Sequence, residues 1–361
     1  MRRTPSPPPR PLTAVQALTE AQRIAFAPLT FHAAKSLRDL GILQALADAG
    51  ETGLTLAQLE ALLQVSAYGL SVLLDMGAAM NLVDLQENQT FILGKVGYAL
   101  LFDEMTRVNF DFAADVCYQG AAALTESIRT GKPAGLQHFG PWPTIYEGLA
   151  HLPAPTQKSW FAFDHYYSDA AFPHALPVVF AHKPRHLLDL GGNTAKWALA
   201  CHAYDPQVQV TIVDLPGQLD VARGHIARAQ AAERIHTHAA NLLDPQEKLP
   251  TGADAVWMSQ FLDCFAPLEI TSIAQRVAAA IDGTARVFVQ EPLWDHQRFG
   301  GAAYALHATS LYFTCMANGN SRMYAQAELV AAVQAGGLRL ENGTHNLGPH
   351  DYSLLCFQKV V

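Results

Sequence analysis

Leu187-Leu188-Asp189-Leu190-Gly191-Gly192-Asn193-Thr194-Ala195 is the stretch on which the reading of this chain turns. An apolar run closes on two glycines and gives way to a helical stretch, the pattern of a buried strand that ends where a helix opens. In open α/β sheets, ligands bind at the carboxyl ends of the strands, near the point where strand order reverses. Glycine there lets the backbone approach a ligand closely, and asparagine enters the left-handed region better than most residues. The next apolar run, Gln209–Val213, ends on Asp214, where a carboxylate can accept both hydroxyl protons of a ribose. Asp189 with Asp214 suits a cofactor carrying a ribose and a positive charge. A pyrophosphate would call for a cationic or uncharged loop.

Outward from this stretch the chain alternates. Strands are expected at His186–Leu190, Gln209–Val213, Ile235–Ala239, Ala255–Met258 and Arg286–Gln290, with helical segments between them. That order specifies a parallel sheet covered by helices on both faces. The last pair, Leu338–Glu341 and Tyr352–Phe357, is joined by Asn342–Asp351, too short for a helical crossover, so it is expected to be antiparallel. A hairpin of that kind is not the usual end of a dinucleotide-binding sheet. Gly191–Lys196 also lacks the GxGxxG spacing that a nicotinamide dehydrogenase needs.

Residues 13–108 read differently. Gly41 ends one helix and a short one follows over Ile42–Ala47. Thr55 with Gln58 three residues on is a capping box, and Ser66 caps the next helix. Leu82–Leu85 and Thr90–Leu93 flank a turn at Glu87–Gln89, a β-hairpin. Helix, helix, helix, hairpin is the winged-helix order. Its third helix, Ala67–Met80, carries Asp75 and no Lys or Arg, so it lacks the cations from which a DNA reader draws its phosphate affinity. A packing or dimerisation module is the better reading. Residues 109–180 connect the two styles and concentrate aromatics, from Trp142 and Tyr146 through Trp160, Phe161, Phe163, Tyr166 and Tyr167; these read first as core, with the alternative that some of them line a pocket for a flat apolar substrate. Residues 181–361 form the ligand-binding domain.

Composition bounds the rest. A length of 361 residues fits two domains at ~150 residues each. Half the residues are hydrophobic, ample for a large core and an oligomer interface. Lys+Arg 24 against Asp+Glu 32 gives a net charge of −8, which excludes a generally basic nucleic-acid binder. No apolar run is long enough to span a bilayer. The five cysteines are scattered without a CxxC pair, which argues against a disulfide framework or a structural zinc and for reduced thiols in a cytoplasm. Residues 1–12 are basic and proline-rich with no apolar h-region, so they read as a disordered tail and not a signal peptide.

These motifs together resemble the class I S-adenosylmethionine-dependent O-methyltransferases of the plant caffeate and bacterial polyketide type, from about Phe31 to the C-terminus. Asp189–Ala195 is similar to that family's Asp-Val-Gly-Gly-Gly-Thr-Gly signature, Val213-Asp214-Leu215-Pro216 to its second-strand motif, and Ala240-Asn241-Leu242 to its adenine-side Gly-Asp-Phe segment. Leu37–Ala47, Ser127–Ala134, Gly252-Ala253-Asp254 and Gly283–Glu291 resemble further family segments. The resemblance implies an α/β fold: a C-terminal Rossmann-like methyltransferase sheet, mostly parallel with the antiparallel end hairpin, behind an N-terminal helical winged-helix dimerisation domain. It implies a homodimer and S-adenosylmethionine as cofactor, with S-adenosylhomocysteine as product and no metal. The cofactor is then expected at Asp189, Gly191, Gly192, Asp214, Leu215, Asn241, Leu242, Ser259 and Ser168. The acceptor, an aromatic small molecule either free or carrier-bound, is expected against Tyr166, Tyr167, Trp160, Phe163, Phe261, His307 and Phe313.

The departures bear on the chemistry. Two signature glycines are Asn193 and Ala195, and the adenine-side Asp is Asn241. The family's Leu-His-Asp-Trp motif falls on Leu262-Asp263-Cys264-Phe265, so its catalytic histidine is Asp263 here. A phenol has pKa ~10, histidine ~6.5 and aspartate ~3.9, so full proton transfer costs about 8 kcal/mol to an ordinary Asp and about 5 kcal/mol to His. Desolvation can narrow that gap, and an already acidic acceptor, or a ring carbon beside a phenol, would lessen the demand on the base. Asp263 and Glu291 are therefore the candidate bases, with His165 in reserve. Ser259–Phe265 resembles the version of the motif found in a branch associated with bacterial aryl-polyene pigments. The competing readings are a methyltransferase fold without methyl transfer (a cofactor-binding scaffold, or an enzyme for decarboxylation or hydroxylation) and a winged-helix regulator.

Overall fold

A computed structural model describes residues 11–360, so nearly all of the expected 1–12 tail lies outside the described residues. The chain parts into two compact units, one ending at Asp111 and the other beginning at Phe112.

The first unit is built from short capped helices. Gly41 sits at φ +77°, between the helices Ala27–Asp39 and Ile42–Ala49. The Thr55–Gln58 capping box opens the helix Leu56–Leu63, and the Ser66 hydroxyl accepts the Gly69 N–H at the start of Ala67–Ala79. The hairpin β1 (Val83–Leu85) and β2 (Phe91–Leu93) follows, and Leu54 bridges to Phe91 beside it. Leu37, Ile42, Leu46, Leu59, Leu70 and Leu74 are fully buried in its core. The first helix, Ala14–Ala25, buries none of its residues and leaves Val15, Leu18 and Ile24 exposed.

The second unit carries a seven-stranded sheet. Its strands are β3 (His186–Leu190), β4 (Gln209–Asp214), β5 (Ile235–Ala239), β6 (Ala255–Ser259), β7 (Arg286–Glu291), β8 (Leu338–Leu347) and β9 (Tyr352–Lys359). Their spatial order is β5-β4-β3-β6-β7-β9-β8. The first five pair in parallel, and β9 is antiparallel to both β7 and β8. Strand order reverses at β3, so the carboxyl end of β3 is the switch point at which such sheets bind ligands. Alternation along the strands feeds two cores. Leu188, Leu190, Val256 and Val287 pack on one face with the helices Pro267–Ala280 and Gln326–Ala335. Leu187, Ile212, Trp257 and Phe288 pack on the other with Phe172–Phe180 and Lys196–Tyr204.

One strand exceeds its expected length. β8 continues past Glu341 through Asn342-Gly343-Thr344-His345-Asn346, a polar run that reads as a turn in sequence. It pairs as an edge strand broken by two irregularities, where one row of side chains is exposed and polar residues cost little. Among the described residues, no single helix is long and apolar enough to cross a membrane.

Candidate active site

At the end of β3 the chain turns at Gly191, whose N–H donates to the Val213 carbonyl. Gly191 has φ +74°, and a Cβ there would fall 2.3 Å from a Phe261 ring carbon; one on Gly192 would fall 2.6 Å from Asp189 Oδ2. Both glycines are therefore required by the close approach of backbone to side chain. Asn193 and Ala195 also lie in the left-handed region, at φ +46° and +68°. The family signature has glycine at both positions. Asparagine tolerates the conformation, whereas alanine carries a strain of about 1–2 kcal/mol.

Asp214 closes this loop from β4. One of its oxygens accepts the Asn193 N–H at 2.9 Å and the other accepts the Leu215 N–H at 2.7 Å. Each oxygen of the expected ribose acceptor thus already holds a backbone proton and retains lone-pair capacity for a second partner. Burial lifts the Asp214 carboxyl, and the two N–H groups hold it down. Asp189 is almost completely buried, and its Oδ2 has no hydrogen-bond partner among the described residues. Burial, helped by the negative charge of Asp214, pushes its pKa up to about 8. A buried acidic group of that kind has room for one more hydrogen-bond partner.

The same cavity continues into an aromatic chamber walled by Phe112, Trp160, Phe163, Phe265 and Phe313. Phe112 stacks on Phe163 with ring centroids 4.0 Å apart, and Trp160 donates its indole N–H to the Tyr312 hydroxyl. Asp263 enters from the short turn Leu262–Cys264 that follows β6. It is 3% exposed and its Oδ2 has no partner among the described residues, while Oδ1 accepts the Cys264 thiol. Burial pushes its pKa up to about 7. Asp164 reaches the cavity from the helix Ala154–Asp169, where its Oδ2 accepts the side-chain amide of Asn193 at 3.0 Å. Burial first, then the charges of Asp263 and Asp169, push it up to about 7 as well.

Three expected residues sit elsewhere, and a fourth plays another part. Glu291 ends β7 but does not line the cavity. Its Oε1 accepts the backbone N–H groups of Phe261 and Leu262 at 3.0 and 2.8 Å, so it holds the turn that presents Asp263. Glu291 thus braces the turn that carries Asp263 and does not line the cavity. Tyr166 and Tyr167 pack against His350, and His307 packs against Trp294, all outside the cavity lining. The remaining expected residues line it together: Asp189, Gly191, Gly192, Asp214, Leu215, Asn241, Leu242 and Ser259 at or after the strand ends, Trp160, Phe163, His165 and Ser168 from the helix Ala154–Asp169, and Phe261, Asp263 and Phe313. His165 stacks on Phe161, and burial lowers its pKa.

Sequence reading missed Asp164, the Asn193 side chain, Tyr312 and the ion pair of Lys196 with Asp169. A signal for Asp164 was present. Trp160, Asp164 and Ser168 recur every fourth residue, which places them on one helix face, whereas Tyr166 is rotated about 200° from Asp164.

An O-methyltransferase domain model matches residues 174–336, and a Dimerisation2-like domain model matches residues 18–91. The chain thus carries an O-methyltransferase domain and a Dimerisation2-like domain, and it is an S-adenosylmethionine-dependent methyltransferase. Among its relatives, the L-tyrosine C(3)-methyltransferase of Streptomyces lavendulae is 23% identical over 80% of this chain and 78% of that one. The aclacinomycin 10-hydroxylase RdmB of Streptomyces purpurascens is 26% identical over 68% of this chain and 64% of that one. In fold the methyltransferase is similar to the apo form of the S-adenosylmethionine-dependent methyltransferase SibL, with a TM-score of 0.71 at 24% identity over 95% of this chain and all of that one. These matches place the enzyme among methyltransferases of specialised metabolism without placing it in the aryl-polyene branch.

Proposed function

We propose that this methyltransferase acts on an aromatic small molecule, at a phenolic oxygen or at a ring carbon beside one, and that Asp263 is the base. The single observation that carries the reading is Asp263 lining an aromatic chamber with a buried Oδ2 that has no partner among the described residues. The cradle of Gly191 and Gly192, the orphaned Asp189 oxygen and the anchored Asp214 fit S-adenosylmethionine, with Leu215, Asn241, Leu242, Ser259 and Ser168 along its length. Bound there, the cofactor supplies an electrophilic methyl group on a sulfonium.

The protein's own part is to hold the acceptor, exclude water and take a proton. The stacked rings of Phe112 and Phe163 offer a flat apolar wall. Proton transfer from a phenol of pKa ~10 to Asp263 at about 7 costs about 4 kcal/mol, half the cost to an ordinary Asp and no more than that to histidine. Burial therefore gives a carboxylate the basicity of the histidine that the family motif has at this position. The exposed Val15, Leu18 and Ile24 of the first helix support a homodimer, and the five free cysteines support a reducing cytoplasm.

The test is mass spectrometry of candidate phenols, free and carrier-bound, after incubation with methyl-labelled S-adenosylmethionine, with fragmentation to locate the label on oxygen or carbon. Label transfer to a phenol or its ring supports the reading. Tight cofactor binding with no transfer, or conversion of the acceptor without the label, supports instead a fold that has moved to other chemistry, for which the likeness to RdmB is the motive.

A further inference from the structure

The charges around the acceptor limit what the acceptor can be, an inference that rests on the methyl-transfer reading above. Among the described residues lining the cavity, Lys196 is the one Lys or Arg, and its ammonium is committed to Asp169. The one other basic group, His165, lies 3.9 Å from the carboxylates of both Asp164 and Asp169. Against these stand Asp164 and Asp263, both lining the cavity, with the charge of Asp263 raising the pKa of Asp164. Asp263 is more than nine-tenths buried, with an oxygen that no group among the described residues satisfies. Carboxylate oxygens accept and cannot donate, so the missing partner is a donor.

We propose that the acceptor end of the cavity is built for an aromatic molecule whose polar groups are hydrogen-bond donors, a phenol that also bears an amine, and that it excludes aromatic carboxylates. A phenolic hydroxyl and an ammonium on one molecule can donate to Asp263 and Asp164, one to each. An aromatic carboxylate entering the chamber meets two like charges and finds no free cation to pair with, so its own oxygens remain desolvated and unmatched.

The test uses the full chain saturated with S-adenosylhomocysteine, with quenching of tryptophan fluorescence as the readout, since Trp160 and Trp257 line the cavity. Three catechols of the same ring are titrated: one with an aminoethyl chain, one with a methyl group and one with a carboxymethyl chain. The titrations are run at about pH 8, above the values to which burial lifts Asp164 and Asp263. The amine is expected to bind most tightly and the carboxylate at least roughly tenfold more weakly. Asp263→Asn alone should shrink the difference, and Asp263→Asn combined with Asp164→Asn should nearly abolish it. A carboxylate that binds as tightly as the amine, or an amine that does not bind, overturns the proposal. Methyl transfer with S-adenosylmethionine is scored separately: charge selectivity without transfer would sink the catalytic reading and leave this one standing, and transfer that is fastest for the carboxylate would do the reverse.

Discussion

Two pairs of carboxylates face the same cavity, and they are built in different ways. Asp189 and Asp214 stand at the ends of adjacent parallel strands, where sheet register fixes their separation and two backbone N–H groups fix the second of them. Asp164 and Asp263 come from a helix and a turn far apart in the sequence, and they meet only because the chain folds over the sheet. The first pair is held by backbone, the second by packing. The first can therefore be substituted only at the cost of the loop, whereas the second can be retuned by its surroundings, and burial there raises both acids to about 7. One residue spans the two. Asn193 gives its backbone N–H to Asp214 and its side-chain amide to Asp164.

The largest effect is expected at Asp263. Asp263→Asn should lower kcat by ~10²–10⁴, the usual size of general-base catalysis, with the dissociation constant of S-adenosylhomocysteine unchanged by calorimetry. The opposite signature is expected across the cavity. Asp214→Asn removes one acceptor of two backbone protons and should weaken S-adenosylhomocysteine by roughly ten- to a hundredfold, since a hydrogen bond to a charged group is worth about 1.5–3 kcal/mol. Its kcat at saturating cofactor should stay near that of the parent. If both variants lose cofactor affinity equally, the division into two pairs fails.

The smallest effect sharpens the boundary. Asn193→Gly restores the glycine of the family signature and keeps the left-handed backbone, but it cuts the amide bond to Asp164. The acceptor KM should rise about three- to tenfold, the worth of one ordinary hydrogen bond. Cofactor affinity, which depends on the backbone N–H that glycine also supplies, should not move.

What the sequence disclosed follows the same line. The β3 turn, Asp214 and the antiparallel end pair are contiguous signals, each read from a run of at most about twenty residues, and the structure places all of them as expected. β8 was read short because an exposed edge strand need not be apolar, so its polar half looked like a turn. Asp164 was passed over because the aromatics around it were read as a cluster and not by helical period, which also misplaced Tyr166. Glu291 was correctly read as a carboxylate at the ligand end of its strand. That its oxygen turns back to the Phe261 and Leu262 N–H groups depends on the fold of a turn about thirty residues earlier, which no local pattern encodes. The basicity of Asp263 was the least legible property, since it arises from desolvation by elements spread over half the chain.

That basicity is also the central claim, and the pH dependence of kcat tests it most directly. A base must be ionised to accept a proton, so a carboxyl raised to about 7 is largely inactive at pH 5 and active at pH 9. With a phenol acceptor and saturating cofactor, kcat of the parent should climb through an ionisation near 7 and then level. In Asp263→Asn that limb should vanish, leaving a rate that rises only as the phenol itself ionises, toward about 10. A limb near 7 that survives unchanged in Asp263→Asn would contradict the account and pass the role of base to another group.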